Sequence, residues 1–144
     1  MERMIRGRTL VAGSAGGELV ASTEPLSFWG GYDPETGEII DRRHPLSGTL
    51  MRGKILMIPA SRGSSTTSAV LLEAIRRGTA PAGIVLTQAD TFIALAGVVA
   101  EALYGEAIPM VRIDPRDWEA LTEASEVRLT EAGEITWESR EVAR

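Results

Sequence analysis

Cysteine and asparagine are absent from the 144 residues, and histidine and lysine occur once each, as His44 and Lys54. Without cysteine the chain has no disulfide framework, no thiolate nucleophile and no sulfur ligand for a metal. One histidine leaves little from which to build a multi-histidine metal site or a serine–histidine triad. Positive charge is the minority sign, 15 Lys and Arg against 20 Asp and Glu for a net of −5, so nucleic acid is not an expected partner. No apolar run approaches the roughly 20 residues of a membrane helix. Met1-Glu2-Arg3-Met4-Ile5-Arg6 has no apolar stretch behind it, as a secretory signal would. These absences lead to the expectation of a cytoplasmic chain that contacts neither nucleic acid nor membrane. Its length fits one domain over residues 1–144, long enough to bury a core.

What is present reads as alternating strands and helices. Thr9 to Ala12 and Glu18 to Ser22 read as short strands, with Gly13, Gly16 and Gly17 supplying the turn between them. Residues 23–48 show no sustained period and carry turn signals at Gly30-Gly31 and Asp33-Pro34-Glu35-Thr36-Gly37; an aperiodic segment of this length is more often functional than idle. Lys54 to Ile58, Gly83 to Leu86 and Ile108 to Ile113 are continuous apolar runs of the kind buried on both faces of a sheet. Val70, Leu71, Ala74 and Ile75 recur at helical spacing before Gly78, and Asp90 is placed to cap a second helix that ends at Gly105. The alternation predicts an α/β fold with right-handed crossovers and a mostly parallel sheet. A short helix near Asp117 to Glu123 and a hairpin turning at Gly133 are expected to follow.

Chemistry concentrates in IPASRGSSTTSAVLLEAIRRG, residues 58–78, where Ser64, Ser65, Thr66, Thr67 and Ser68 follow Arg62 and Gly63 at a strand-to-helix turn. Unpaired N–H groups at a helix N-terminus favour negative charge. Gly63 lets the backbone approach a ligand closely, and Arg62 adds a permanent cation, so the turn could cradle an anion. It lacks the lysine of a Walker A loop and the G-x-S-x-G of a nucleophile elbow. A serine here could also act as a base, its alkoxide favoured by the helix terminus and the guanidinium. The alternative is a simple helix cap, for which one hydroxyl suffices. His44 could shuttle protons, and Asp33, Glu35 and Asp41 could pair or hold Mg²⁺, although turn residues of these kinds are more often structural or solvated. Phe28, Trp29 and Tyr32 are candidate pocket-wall or interface aromatics, the alternative being a hairpin and an irregular surface crossing in which Phe28 and Trp29 fill core, while Trp118 and Trp137 are expected to pack the tail.

The stretches EPLSFWGGYDPETGEIID, HPLSG, IPASRGSSTTS, GTAPAGIVL and AIPMVRI, in this order and spacing, resemble the small subunit of the aconitase X family. The resemblance covers residues 7–113 and leaves 114–144 as a divergent tail. It implies a swivelling β/β/α domain like the swivel domain of aconitase. It also implies a large catalytic subunit that carries an iron–sulfur cluster, this chain itself binding no metal. The stand-alone archaeal members imply dehydration of (R)-5-phosphomevalonate to trans-anhydromevalonate 5-phosphate, within the mevalonate route to isoprenoids. Bacterial members imply cis-3-hydroxy-L-proline as the alternative substrate, and a phosphate-binding or regulatory module without chemistry is a further alternative. The family's proton-accepting serine falls on Ser64, and Arg62, Gly63 and Ser65 become its substrate-binding neighbours. Ser61 stands where the family turn has its first glycine.

Overall fold

The computed structural model describes residues 1–139. Along the chain run β1 (Glu2–Arg6), β2 (Arg8–Val11), β3 (Ala15–Ala21), the two-residue strands β4 (Tyr32–Asp33) and β5 (Glu38–Ile39), β6 (Ile55–Met57) and α1 (Ser65–Arg77). Then come β7 (Gly83–Leu86), α2 (Thr91–Tyr104), β8 (Met110–Arg112), a 3-10 turn at Pro115–Asp117, α3 (Trp118–Thr122), β9 (Glu126–Leu129) and β10 (Glu134–Glu138). Eight of the strands form one sheet in the order β1-β10-β9-β3-β6-β7-β8-β2. β3, β6, β7 and β8 are parallel, and the remaining pairs are antiparallel.

The apolar runs are continuous because the central strands are covered on both faces. Leu56, Ile84, Leu86 and Met110 pack with Leu71, Ile75, Ile93 and Ala96 of the helices. The alternate residues Ile55, Met57, Val85 and Val111 pack with Ile5, Leu121, Leu129, Ile135 and Trp137. The result is three layers, antiparallel strands, parallel strands and helices, the β/β/α arrangement of an α/β domain. Each fully buried aliphatic side chain contributes roughly 1.5–3 kcal/mol relative to exposure. Among the described residues no helix is long and apolar enough to cross a membrane.

The two ends of the sheet order, β1 and β2, are separated in the chain by Gly7 alone, so one bent strand joins the antiparallel half to the parallel half. A Cβ at Gly7 would overlap the Val111 side chain and crowd the Arg112 carbonyl, which leaves glycine as the residue that fits the bend.

Two expectations need correction, on Gly16 and Gly17 and on the aromatics of residues 23–48, and one strand, β1, is unanticipated. Gly16 and Gly17 lie inside β3, and the turn is made by residues 12–14; a Cβ at Gly17 would collide with the Gly53 carbonyl, a close backbone approach that a strand glycine permits. β1 gives no sequence signal, because only Ile5 of its five residues is buried. Within residues 23–48, Phe28 and Tyr32 are core residues with ring centroids 5.5 Å apart. Tyr32 donates to the Thr79 carbonyl at 2.7 Å, and burial pushes its hydroxyl well above the usual range. Only Trp29, 68% exposed, remains available as an interface aromatic. The expected tail helix and hairpin form, with Trp137 buried and Trp118 half-buried against the same core, and β9 and β10 are full members of the large sheet.

Candidate active site

The turn after β6 is held from three sides. The Pro59 carbonyl accepts from the N–H groups of Thr87 and Gln88 at 3.2 and 3.0 Å, which ties the turn to the end of β7. Ser61 donates twice to one carboxylate oxygen of Asp90, through its N–H and its Oγ, both at 2.6 Å. The other Asp90 oxygen accepts from the Ile93 N–H at 3.0 Å and caps α2. Finally, the Arg62 N–H donates to the Leu26 carbonyl at 2.9 Å, which fixes the turn against the 23–48 segment. Asp90 is therefore both the expected cap and a clamp on the turn, and the serine at position 61 has a definite job.

Gly63 sits at φ +131°, a conformation that favours glycine. Ser64 follows in extended conformation, φ −130° and ψ −151°, as the N-cap residue of α1. An N-cap serine ordinarily satisfies a first-turn N–H with its hydroxyl. Here the Ser64 main-chain carbonyl accepts from the Thr67 N–H at 2.9 Å, while its side chain makes no cap bond. The row of hydroxyls divides by role. Thr67 is buried, and Ser68 donates to the Phe92 carbonyl at 2.6 Å and locks α1 to α2. Ser64, Ser65 and Thr66 are exposed, as are Arg62 and Gly63.

The first turn of α1 holds no acidic residue, so its partial positive charge is uncompensated. Arg62 has no carboxylate partner among the described residues. It opens onto a cleft of about 300 Å³ lined also by Glu24, Pro25, Ser27, Asp41, Arg43 and His44. The aperiodic segment thus forms the wall of the Arg62 cleft, whose lining does not include Gly63, Ser64 or Ser65, and its lack of pattern is the one signal that could have pointed to Glu24, Ser27 and Arg43.

His44 does not serve as a shuttle. It is buried, its Nε2 lies 3.2 Å from the Glu24 carbonyl, and its Nδ1 accepts from the Leu46 N–H at 3.1 Å, so both ring nitrogens hold the loop. Asp33 and Asp41 accept from the N–H groups two residues on, at 2.9 and 3.0 Å, the usual work of aspartate in turns. Among the described residues no three His, Asp or Glu side chains converge on one point. With no thiolate in the chain and its histidine occupied, these residues do not fit an iron–sulfur cluster.

Comparison with known proteins bears on this arrangement. The family model for the aconitase X swivel domain matches residues 4–137, and so takes in most of the segment after Asp114. Over 113 residues the chain is 52% identical to cis-3-hydroxy-L-proline dehydratase of Pseudomonas aeruginosa, a match that covers 78% of this chain and 20% of that protein. It is 42% identical over 118 residues to the phosphomevalonate dehydratase small subunit of Methanothermobacter thermautotrophicus, covering 82% of this chain and 86% of that one. In the crystal structure of holo aconitase X from Thermococcus kodakaraensis, one chain superposes with a TM-score of 0.80 at 32% identity, over 95% of this chain and 99% of that one. The chain thus spans about a fifth of the length of the hydroxyproline dehydratases it matches, but most of the length of the separate small subunits.

Proposed function

The chain belongs to the aconitase X swivel-domain family, and we propose that it is the small subunit of a heteromeric hydro-lyase that dehydrates (R)-5-phosphomevalonate to trans-anhydromevalonate 5-phosphate. The observation that carries the reading is the Ser64 hydroxyl, left out of the cap of its own helix. It is exposed at an uncompensated helix N-terminus, two residues after Arg62, whose guanidinium has no carboxylate partner among the described residues. Relatives of matching length, named as phosphomevalonate dehydratase small subunits, support the substrate.

In this reading Ser64 takes a proton from the carbon next to the one that loses its hydroxyl. An alkoxide there is favoured by the helix terminus and by Arg62. Arg62, Ser65 and the N–H groups around Gly63 hold the substrate's anionic groups. Asp90 positions the turn through Ser61. The iron–sulfur cluster that the family implies belongs to a larger partner subunit, since the residues of this chain do not fit it.

The 52% identity to cis-3-hydroxy-L-proline dehydratase favours a second reading, in which the same serine serves that substrate. Reconstitution of the chain with its large subunit, followed by turnover assays on both substrates, distinguishes them. Dehydration of phosphomevalonate that is lost in Ser64→Ala supports the first reading. Dehydration of hydroxyproline alone transfers the same machinery to the second.

A further inference from the structure

A second polar cleft, of about 400 Å³, lies at the carboxyl ends of β7 and β8, and its lining includes Arg6, Gly7, Arg8, Thr87, Arg112 and Asp114. Arg8 and Arg112 are register partners in the antiparallel pair of β2 and β8. Directly opposed side chains stand on one face of the sheet with Cβ atoms about 4.5–5.5 Å apart, and like charges so placed repel. Among the described residues no carboxylate lies within ion-pair distance of either guanidinium. Arg6 is paired with Glu134 at 2.8 Å and Asp114 with Arg116 at 3.4 Å. Arg8 and Arg112 have no carboxylate partner among the described residues, in a chain with five more acids than bases. Arg112 is also half-buried, which withdraws part of its hydration. The Thr87 side chain, part of the same lining, makes no hydrogen bond among the described residues.

This cleft is separate from the Ser64 turn. Ser64 follows β6, and β7 stands between β6 and β8. At about 4.8 Å per strand spacing, the two strand ends are roughly 10 Å apart, with Pro59 and Thr87 bonded between them. The carboxyl edge of parallel strands is where open α/β sheets take their ligands.

We propose that the Arg8–Arg112 cleft is a phosphate-binding site. The two guanidinium forks would take the oxygens of a phosphate dianion, either free or as the end group of a phosphorylated small molecule, with the Thr87 hydroxyl as an additional donor. An opposed arginine pair is costly without an anion and favourable with one. The inference does not depend on the dehydration reading.

The test uses the full chain carrying Arg62→Gln, which removes the guanidinium of the Ser64 turn; any anion binding left at that turn is read as the part that survives the added Arg8→Gln and Arg112→Gln changes. Inorganic phosphate and glycerol 3-phosphate are titrated by calorimetry, and thermal midpoints are recorded with and without each. Saturable one-to-one binding is expected, weakened at least tenfold by adding Arg8→Gln or Arg112→Gln. Each added change should also raise the midpoint in phosphate-free buffer, because it removes the repulsion. Equal affinities would identify free phosphate as the ligand chemistry, and tighter binding of the ester a phosphorylated metabolite. The proposal is overturned if neither probe saturates, or if binding survives both added substitutions. Because Arg8 is exposed, Arg8→Gln keeps the test decisive even if Arg112→Gln fails to fold.

Discussion

Ser64→Ala isolates the proposed chemistry with little structural disturbance. Replacing an N-cap serine by alanine ordinarily costs about 0.5–2 kcal/mol, which for a domain of this size lowers the thermal midpoint by several degrees. That cost arises from the lost side-chain bond to a first-turn N–H. In this protein the Ser64 hydroxyl makes no such bond, and the Thr67 N–H is served by the Ser64 carbonyl at 2.9 Å, which alanine keeps. The side chain is exposed, so no packing is lost. The expected change in stability is therefore well under about 0.5 kcal/mol, the usual range for surface substitutions. Loss of a general base costs typically 10²–10⁴ in rate. The assay pairs turnover of the reconstituted complex with the thermal midpoint of the isolated chain. A hundredfold or greater loss of kcat with an unchanged midpoint is expected. Near-normal turnover, or a midpoint that falls by several degrees along with the rate, would refute the reasoning, the second outcome by showing that the hydroxyl is structural after all. Ser65→Ala supplies the comparison, with weaker substrate binding and a largely retained kcat expected.

Asp90→Ala should be far more disruptive than Ser64→Ala, because the carboxylate holds Ser61 twice and caps α2. At about 1.5–3 kcal/mol per charge-assisted bond, denaturant unfolding should show a loss of several kcal/mol; a near-neutral result would mean the clamp is unimportant. Glu73 accepts from Arg76 and Arg77 at 2.7–2.9 Å, and those hydrogen bonds hold its carboxyl at about 2 against an ordinary 4.5. A depressed folded-state value adds stability above pH 4.5 that is lost as pH falls toward 2; Glu73→Gln should flatten that part of the midpoint-against-pH curve, and parallel curves for both proteins would contradict the pairing. Trp29→Ala should leave the midpoint unchanged and weaken association with the large subunit, whereas Phe28→Ala should cost about 3–5 kcal/mol of stability as a core truncation; unaltered association in Trp29→Ala, read by calorimetric titration, would remove that aromatic from the interface.

The sequence alone determined the features that depend on near neighbours. Gly78 and Gly105 stop their helices in left-handed conformation, and Asp90 starts the second, because a cap is an interaction among residues within one turn. The run Gly83 to Leu86 was legible as a strand because its burial on both faces leaves an uninterrupted apolar stretch. Ser64 and its neighbours stood out because a row of hydroxyls after a glycine exceeds what a cap requires. Only the tertiary structure decided the rest. β1 exists because β10, more than a hundred residues later, pairs with it, and its own alternation carries a single buried residue. Gly16 and Gly17 belong to a strand because β9 pairs with them through Arg128 and Val127, and the Gly53 backbone comes close to Gly17 from outside the segment. Phe28 and Tyr32 are core rather than interface, His44 is a loop brace rather than a catalyst, and Asp90 reaches back to Ser61. Each of these assignments rests on a partner distant in the chain. Local propensity cannot report such a partner, because the free energy that selects it appears only when the layers close on one another.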